Sequence, residues 1–230
     1  MPKLLVRTVA AVAITLAIFA GTVVASGGPH AHGTADDAAA GTASGAVAAR
    51  SDFHDAMRQL WEDHITWTRL VIVSAATLPD ALPDLDPTVQ RLLRNQDDIG
   101  DAIKPFYGDA AGEELSRLLR EHIALAAELI ADAKAGDADA VEETSEAWYA
   151  NADEIADFLS AANPKHWPAA EMRAMMREHL DLTLAEAVAR LEGRYADDIS
   201  IYDEVHVQIL HMADMLSDGI IAQFPAKFAK

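Results

Sequence analysis

The sequence predicts an all-α protein, an antiparallel helical bundle of three repeated αα-hairpins with six helices. Three observations support this prediction. Apolar residues recur at a spacing of three and four along most of the chain. The breaks in this spacing fall at stretches that contain Pro or Gly. No segment has the strict alternation of apolar and polar residues that is typical of a half-buried strand.

The first 50 residues are predicted to lie outside the bundle. Residues 1–25 carry Lys3 and Arg7, then an uncharged apolar run that ends in small residues, which is typical of a signal peptide. The run is about 18 residues long, so an uncleaved N-terminal anchor is the alternative. Residues 26–50 are rich in Ala and Gly and are expected to form a flexible linker. We therefore expect a secreted or cell-envelope protein with a bundle domain over residues 51–230.

The helices within this domain are delimited by their apolar spacing and by the breaks between them. Phe53, Met57 and Leu60 begin the first helix, which ends at the Pro-rich stretch LPDALPDLDP. The stretches KPFYGDAAG, KAGDAD, NPKHWP and EGRYAD separate the remaining helices in the same way. The predicted helices span residues 51–77, 87–104, 110–134, 138–161, 168–192 and 196–223.

Similar segments recur along the chain at intervals of about 57 residues, which predicts three copies of one hairpin. The odd-numbered helices contain LWEDHI, LLREHI and MMREHL. The even-numbered helices contain NQDDIGDAI, NADEIADFL and MADMLSDGI. Short connections make neighbouring helices antiparallel, so the histidines of the three odd-numbered helices are expected at one height.

These histidines, His64, His122 and His179, lie on the apolar stripes of their helices, and Asn95 and Asn151 of the even-numbered helices are expected beside them. A buried polar layer needs partners, because an unpaired polar group costs roughly 1–3 kcal/mol. One interpretation pairs each histidine with an amide or hydroxyl and so fixes the helix register. The other is a site for a metal ion or a small ligand, with Asn95 and Asn151 among the binding residues.

The proposed metal ligands include three further residues. Glu186 follows His179 by two turns, and Asp203 and His206 share a face of the last helix at positions i and i+3; on that helix His206 is expected on the inner face. Histidine and carboxylate ligands suit zinc, copper, iron, nickel or manganese. The chain has no Cys, which excludes disulfides, thiolate nucleophiles and zinc sites with Cys ligands.

The net charge and the absence of known catalytic motifs limit the classes of function that fit this sequence. The formal net charge is −19, and loss of Lys3 and Arg7 with a leader would make it more negative. Nucleic acid is therefore excluded as a partner, and a membrane is expected only if the N-terminal segment stays attached. The sequence contains no P-loop, no G-x-S-x-G and no H-E-x-x-H.

We therefore expect an exported, non-enzymatic binding protein with a central His/carboxylate site for a metal ion or a small ligand. The alternative is a cell-envelope interaction or scaffold protein whose buried histidines are purely structural. A metal-dependent enzyme is the third hypothesis.

Several short motifs resemble an uncharacterised family of small bacterial all-helical proteins. They are W-x-x-H-x-x-W-T-R at residues 61–69, P-F-Y-G at 105–108 and W-Y-x-N-A-D-E-I-A at 148–156. The resemblance extends over roughly residues 57–225 and implies a helical fold. The function of that family is not established, so the resemblance implies none for this chain.

Overall fold

A computed structural model describes residues 36–78 and 80–229 of the chain. The predicted signal peptide or anchor, and residues 26–35 of the predicted linker, lie outside these residues. None of the helices within the described ranges has the length and hydrophobicity that crossing a bilayer requires.

The described residues form six α-helices and a short terminal 3₁₀ helix, Pro225–Phe228, and they contain no strand. The prediction of a six-helix, all-α protein is thus confirmed. The interpretation of the three hairpins as copies of one unit stays a prediction. The helices are α1 Asp36–Ala75, α2 Leu85–Tyr107, α3 Asp109–Ala135, α4 Ala138–Ala162, α5 Ala169–Leu191 and α6 Tyr195–Gln223.

Five of the six helices begin and end within a few residues of the predicted bounds, and α1 differs at its start. It begins at Asp36, so residues 36–50, which were expected to be a flexible linker, continue the helix. This segment is rich in Ala, which has the highest intrinsic helix propensity and loses no side-chain entropy in a helix. Val47 in this segment is 66% exposed.

The helices pack in a closed ring. Each helix contacts the next one in the chain, and α6 returns to pack against α1. Helix α1 also contacts α3 and α5, which brings the odd-numbered helices together at the centre of the bundle. This packing explains why their inner faces carry the residues of the predicted polar layer.

Helices α2 and α3 approach each other closely at two glycines, Gly100 of α2 and Gly112 of α3. A Cβ on Gly100 would lie 2.5 Å from the carbonyl oxygen of Gly112, and a Cβ on Gly112 would lie 2.6 Å from that of Gly100. Only glycine fits at either position, because both obstacles are backbone atoms. A single residue, Gly108, joins these two helices, with φ at 87°.

Helix α4 buries one apolar face. Trp148, Ala152, Ile155 and Leu159 are all at most 5% exposed and belong to the main core. Since these positions follow the i, i+4, i+7, i+11 spacing, one face of α4 supplies a continuous apolar stripe toward the centre. Asn151 lies on the same side of the helix, next to the histidine layer.

Candidate functional site

The three repeat histidines lie together in the core. His64 of α1, His122 of α3 and His179 of α5 are each 3% exposed. The ring centroids of His64 and His179 are 5.8 Å apart. The ring of His122 stacks on the Trp148 indole, with 5.3 Å between the centroids. The predicted buried polar layer is therefore present, and its histidines come from the three central helices.

Two of these histidines are paired with a side-chain amide from the following helix. Asn151 donates from Nδ2 to the backbone oxygen of Leu118 at 3.2 Å, which leaves its Oδ1 as an acceptor. His122 lies 3.0 Å from this oxygen through Nδ1, so Nδ1 is the ring nitrogen that carries the hydrogen and donates it. One amide thus fixes both the orientation and the tautomer of His122.

Gln208 of α6 fixes the orientation and the tautomer of His179 in the same way. It donates from Nε2 to the backbone oxygen of Met175 at 3.1 Å, and its Oε1 lies 3.2 Å from Nδ1 of His179. Met175 precedes His179 by four residues, as Leu118 precedes His122. The two hairpins therefore use the same pair of bonds, with a glutamine in place of an asparagine.

The first hairpin departs from this arrangement. Asn95 donates to the backbone oxygen of Leu60, again four residues before the histidine, at 3.0 Å. Its Oδ1, however, accepts from Gln96 Nε2 at 3.1 Å. Nδ1 of His64 and Oε1 of Gln96 have no hydrogen-bond partner within the described part of the chain. The expected pairing of His64 with Asn95 is therefore not made, because Gln96 occupies the oxygen of Asn95.

All three histidines are held in the neutral form. Burial lowers the pKa of His122 to about 3 and that of His179 to about 4. For His64, burial together with the neighbouring His179 and His122 lowers the pKa well below 6.5. Removing an imidazolium from water is unfavourable, and a second charge nearby adds to the cost. The layer is thus uncharged at neutral pH.

Glu186 lies apart from the histidines in a buried ion-pair cluster, which we name the Arg69 cluster: Arg69, Glu186, Arg190 and Asp198. Arg69 donates to Glu186 at 2.7 Å and to both carboxylate oxygens of Asp198. Glu186 and Asp198 are 2% and 0% exposed. Burial raises the pKa of Glu186 to about 7, although the hydrogen bond from Arg69 opposes this rise.

Sequence reasoning identified Glu186 as a carboxylate at a core position but missed its partners. Arg69 is part of the W-x-x-H-x-x-W-T-R motif, and it is the only residue type that can hold two carboxylates with its fork of donors. Asp198 lies in the first turn of α6, where acidic residues are common for reasons of helix dipole alone. Nothing in the sequence indicates that Asp198 is completely buried.

The other two proposed ligands lie away from the layer, which corrects the prediction that His206 is on the inner face of α6. His206 pairs with Glu62 at 2.9 Å, where both side chains are more than a third exposed. Asp203 is exposed to solvent. The buried stripe of α6 runs through Val205, Ile209 and Met212, and adjacent helical residues point about 100° apart. His206 is therefore turned to the flank.

Within the part of the chain that the structure describes, no group of three His, Asp or Glu side chains is arranged to hold a metal ion. The histidine layer instead directs ring nitrogens to amide oxygens in two hairpins, as described above. The six residues predicted as metal ligands thus divide among three places: the histidine layer, the Arg69 cluster and the surface of α6.

A second histidine environment has the residue types of a hydrolase site. Nδ1 of His54 is 2.7 Å from Oγ of Ser217, and its Nε2 is 3.1 Å from Asp218. Ser217 is 0% exposed, and its hydroxyl donates to the Ala213 carbonyl at 2.7 Å. The oxygen of Ser217 therefore accepts from His54 and is enclosed by protein, so this arrangement does not present a nucleophile to a substrate.

An apolar cavity of about 110 Å³ lies next to the histidine layer and is lined by residues of α1, α2, α3, α4 and α5. Its walls include the residues that follow each histidine by four positions and by eight positions. Those at four positions are Thr68, Ala126 and Thr183, and those at eight positions are Ile72, Ile130 and Ala187.

The cavity results from the composition of α5. Where α1 and α3 carry an isoleucine, α5 carries Ala187, which is smaller by three carbon atoms. At the seventh position Val71 and Leu129 fill the interior, whereas Glu186 turns to Arg69 instead. Well-packed cores leave few voids larger than a water molecule, so this one is unusual. It was not predicted from the sequence.

Two polar atoms of the residues that line the cavity have no hydrogen-bond partner among the described residues. They are Nε1 of Trp148 and Oγ1 of Thr183, in residues that are 2% and 6% exposed. Buried polar groups are paired in the great majority of cases, so each exception requires a reason.

The chain matches no family model, no curated protein and no solved structure in the three comparisons.

Proposed function

We propose that this chain is a non-enzymatic binding protein, which holds a small ligand inside the bundle in the cavity next to the histidine layer. The observation that supports this function best is the cavity itself. Residues of five helices line it, and its surface is almost entirely apolar. Ligand sites are typically apolar cavities with a few polar groups that orient the ligand.

This proposal retains the small-ligand version of the sequence-based expectation. The metal version has less support, because the amide oxygens of Asn151 and Gln208 already fix two of the histidines. The enzyme hypothesis has less support as well, because the hydroxyl of Ser217 is buried and donates within its own helix.

The alternative function is a scaffold or interaction protein of the cell envelope, in which the histidines are purely structural. The pairs formed by His122 with Asn151 and by His179 with Gln208 favour it. Each pair also bonds to the helix that carries the histidine, and a shift of register would break both bonds. Histidines with a purely structural role are compatible with both functions. The two functions differ in whether the cavity holds a ligand.

We propose further that the chain is exported, with residues 1–25 as signal peptide or anchor. The support is the basic start of this segment and its apolar run, which ends in small residues. Expression of the full chain in a bacterial host, followed by fractionation and N-terminal sequencing, tests this. A product that starts near Ser26 in the exported fraction supports the proposal, and an intact chain in the cytosol contradicts it.

The binding proposal is tested by thermal unfolding in the presence of benzene. Benzene should raise the unfolding midpoint of the natural chain, because a ligand that binds only the folded state stabilises it. The variant Ala187→Ile fills the cavity and should abolish the rise. The control Ala185→Ile makes the same change at an exposed position of the same helix and should keep it.

Two results would contradict this function. One is the absence of any rise with benzene in the natural chain. The other is an equal rise in the Ala187→Ile variant, which would indicate binding elsewhere. A titration with Zn²⁺ in parallel tests the metal version: a stoichiometric rise that is lost in His122→Gln would favour a metal site over the cavity.

A further inference from the structure

A surface groove lies beside the cavity and is lined by residues of α1, the α1–α2 connection, α2 and α3. Its volume is about 510 Å³. Among the residues that the structure describes, three line both the groove and the cavity: Val71 of α1, and Ala127 and Ile130 of α3. A residue that lines two spaces separates them, so the partition is one side chain thick at these positions.

The partition consists of aliphatic side chains. Ala127 contributes only a methyl group, so the larger side chains of Val71 and Ile130 close the passage between the two spaces. They are 5% and 7% exposed. Because none of the three carries a polar side-chain atom, opening the passage breaks no side-chain hydrogen bond. It requires only that aliphatic side chains change rotamer.

The groove and the cavity run side by side along α3. The α3 residues that line the cavity extend from Ile123 to Ala133, and those that line the groove extend from Ala127 to Lys134. At the rise of an α-helix, these spans correspond to about 15 Å and about 10 Å. A rigid molecule cannot occupy two spaces on neighbouring faces of a helix, whereas a flexible chain can bend across the partition.

The groove is mostly apolar. Of the eleven described residues that line it, eight are Val, Ala, Leu or Ile. Asp86 and Gln90 are exposed to solvent. Lys134 donates from Nζ to the backbone oxygens of Ala75 and Thr77, at 2.6 Å and 3.1 Å. Since these polar side chains face solvent or the end of α1, the groove favours an apolar molecule with a solvated polar end.

The α1–α2 connection adds exposed apolar surface in the segment that lines the groove. Leu78 and Leu82 are 63% and 38% exposed, and Ala81, which lines the groove, directly precedes Leu82. The backbone N–H of Leu82 donates to the backbone oxygen of Ser74 at 3.0 Å, which ties this segment to α1. Contiguous exposed apolar surface of this kind is typical of ligand-binding grooves.

The cavity accepts only the apolar end of such a molecule. The described residues that line it are Thr, Trp, Val, Leu, Ile and Ala, and none of them is charged. A charged group in the cavity would lose its hydration without a compensating charge, at a high cost in free energy. An apolar cavity of about 150 Å³ in another protein holds one benzene molecule, so about 110 Å³ accommodates no more than about six carbon atoms.

We infer that the cavity and the groove form one site for an unbranched alkyl chain, which crosses the partition between Val71 and Ile130. The end of the chain fills the cavity, and the polar head group stays in the groove, in contact with solvent. This inference rests on the proposed function and specifies its ligand class, a single-chain amphiphile with more than about six carbon atoms.

The experiment is a calorimetric titration of the full chain with benzene and with the series of primary alcohols from butanol to decanol. If the cavity alone bound the chain, the affinity would stop rising near hexanol, because further methylene groups would remain in water. In a joint site, each further methylene group leaves water and should raise the affinity about fourfold, up to decanol.

Three variants test which space binds the chain. Ala131 lines the groove and not the cavity, so Ala131→Phe should stop the rise beyond hexanol and keep benzene binding. Ala124→Phe makes the same change at another exposed alanine of α3 and should keep the full rise. Ala187→Ile fills the cavity and should weaken decanol binding at least about tenfold. Unfolding midpoints verify that each variant is folded, and Ala131→Leu replaces Ala131→Phe if that variant is destabilised.

The outcomes separate the inference from the proposed function. If benzene binds but the affinity of the alcohols stops rising near hexanol, the inference is overturned while the binding function stands. The inference is also overturned if decanol binds equally well to Ala187→Ile, or if Ala131→Phe leaves the whole series unchanged. If neither benzene nor any alcohol binds, the proposed function fails and the inference fails with it.

Discussion

The buried histidine layer makes stability depend strongly on pH in the weakly acidic range. The pKa values of His122 and His179 are about 3 and about 4 in the folded chain, and that of His64 is well below 6.5. In the unfolded chain each of them titrates near 6.5. Between about pH 6 and pH 5 the unfolded chain therefore binds up to three more protons than the folded chain at these positions.

Glu186 affects the pH dependence of stability in the opposite direction. Its folded pKa is raised to about 7, so in the same range the folded chain keeps a proton that the unfolded chain has released. The net difference is about two protons. Each proton contributes about 1.4 kcal/mol per pH unit, so acidification from pH 6 to pH 5 should lower the free energy of unfolding by about 3 kcal/mol.

Urea unfolding followed by circular dichroism at pH 7, 6, 5.5 and 5 measures this slope. His122→Gln should reduce it by about 1.4 kcal/mol per pH unit, because it removes one of the three titrating groups. Glu186→Gln should steepen the slope by a similar amount. His211→Gln changes an exposed histidine and should leave the slope as it is. A free energy of unfolding that stays constant from pH 6 to pH 5 would refute the reasoning.

Three further predictions concern stability at neutral pH, and denaturant unfolding measures each. Asn151→Leu should cost about 2–4 kcal/mol, because His122 loses its partner and the Leu118 carbonyl loses the bond that it accepts from outside its own helix. Arg69→Met should cost about 3–5 kcal/mol, because it leaves Glu186 buried without its partner and Asp198 with only the longer contact from Arg190. Gly100→Ala should cost at least about 1 kcal/mol, because its Cβ would overlap with backbone of α3.

Each of these predictions has its own contradicting result. A loss below 1 kcal/mol in the Asn151 variant would mean that His122 finds another partner. An unchanged Arg69 variant would mean that water reaches Asp198. An unchanged Gly100 variant would mean that α2 and α3 can separate without loss of contacts elsewhere.

The sequence predicted the elements whose signals are periodic. The apolar stripe of α4, with Trp148, Ile155 and Leu159, is buried as expected, and Asn151 lies beside His122 at the predicted height. These predictions succeeded because helical spacing and chain length alone determine which residues of an antiparallel pair are level.

The wrong predictions of which helix face is buried have a common cause. The sequence does not determine how each helix is rotated about its own axis. His206 was assigned to the inner face of α6, but its side chain is 38% exposed, and the inner face is centred on Val205 and Ile209. A rotation of one residue position separates the two assignments. Composition cannot decide between them where apolar residues surround a helix on several sides.

The cavity could not be predicted for a different reason. In the sequence, Ala187 cannot be distinguished from an ordinary small core residue. Whether it leaves an empty space depends on the residues that face it from other helices. Likewise, the partner of Glu186 comes from α1, more than a hundred residues earlier in the sequence. Such contacts follow from tertiary packing and leave no local pattern.

The closure of the helix ring also constrains how the chain folds. Helix α6 packs against α1, and Arg58 bonds to Asp214 across 156 positions of sequence. Pairings this distant incur their loop-closure entropy before the contacts compensate for it, and they slow folding relative to bundles with only local contacts. A nascent chain on the ribosome can form successive hairpins early, but its core stays open on one side until the last helix has emerged.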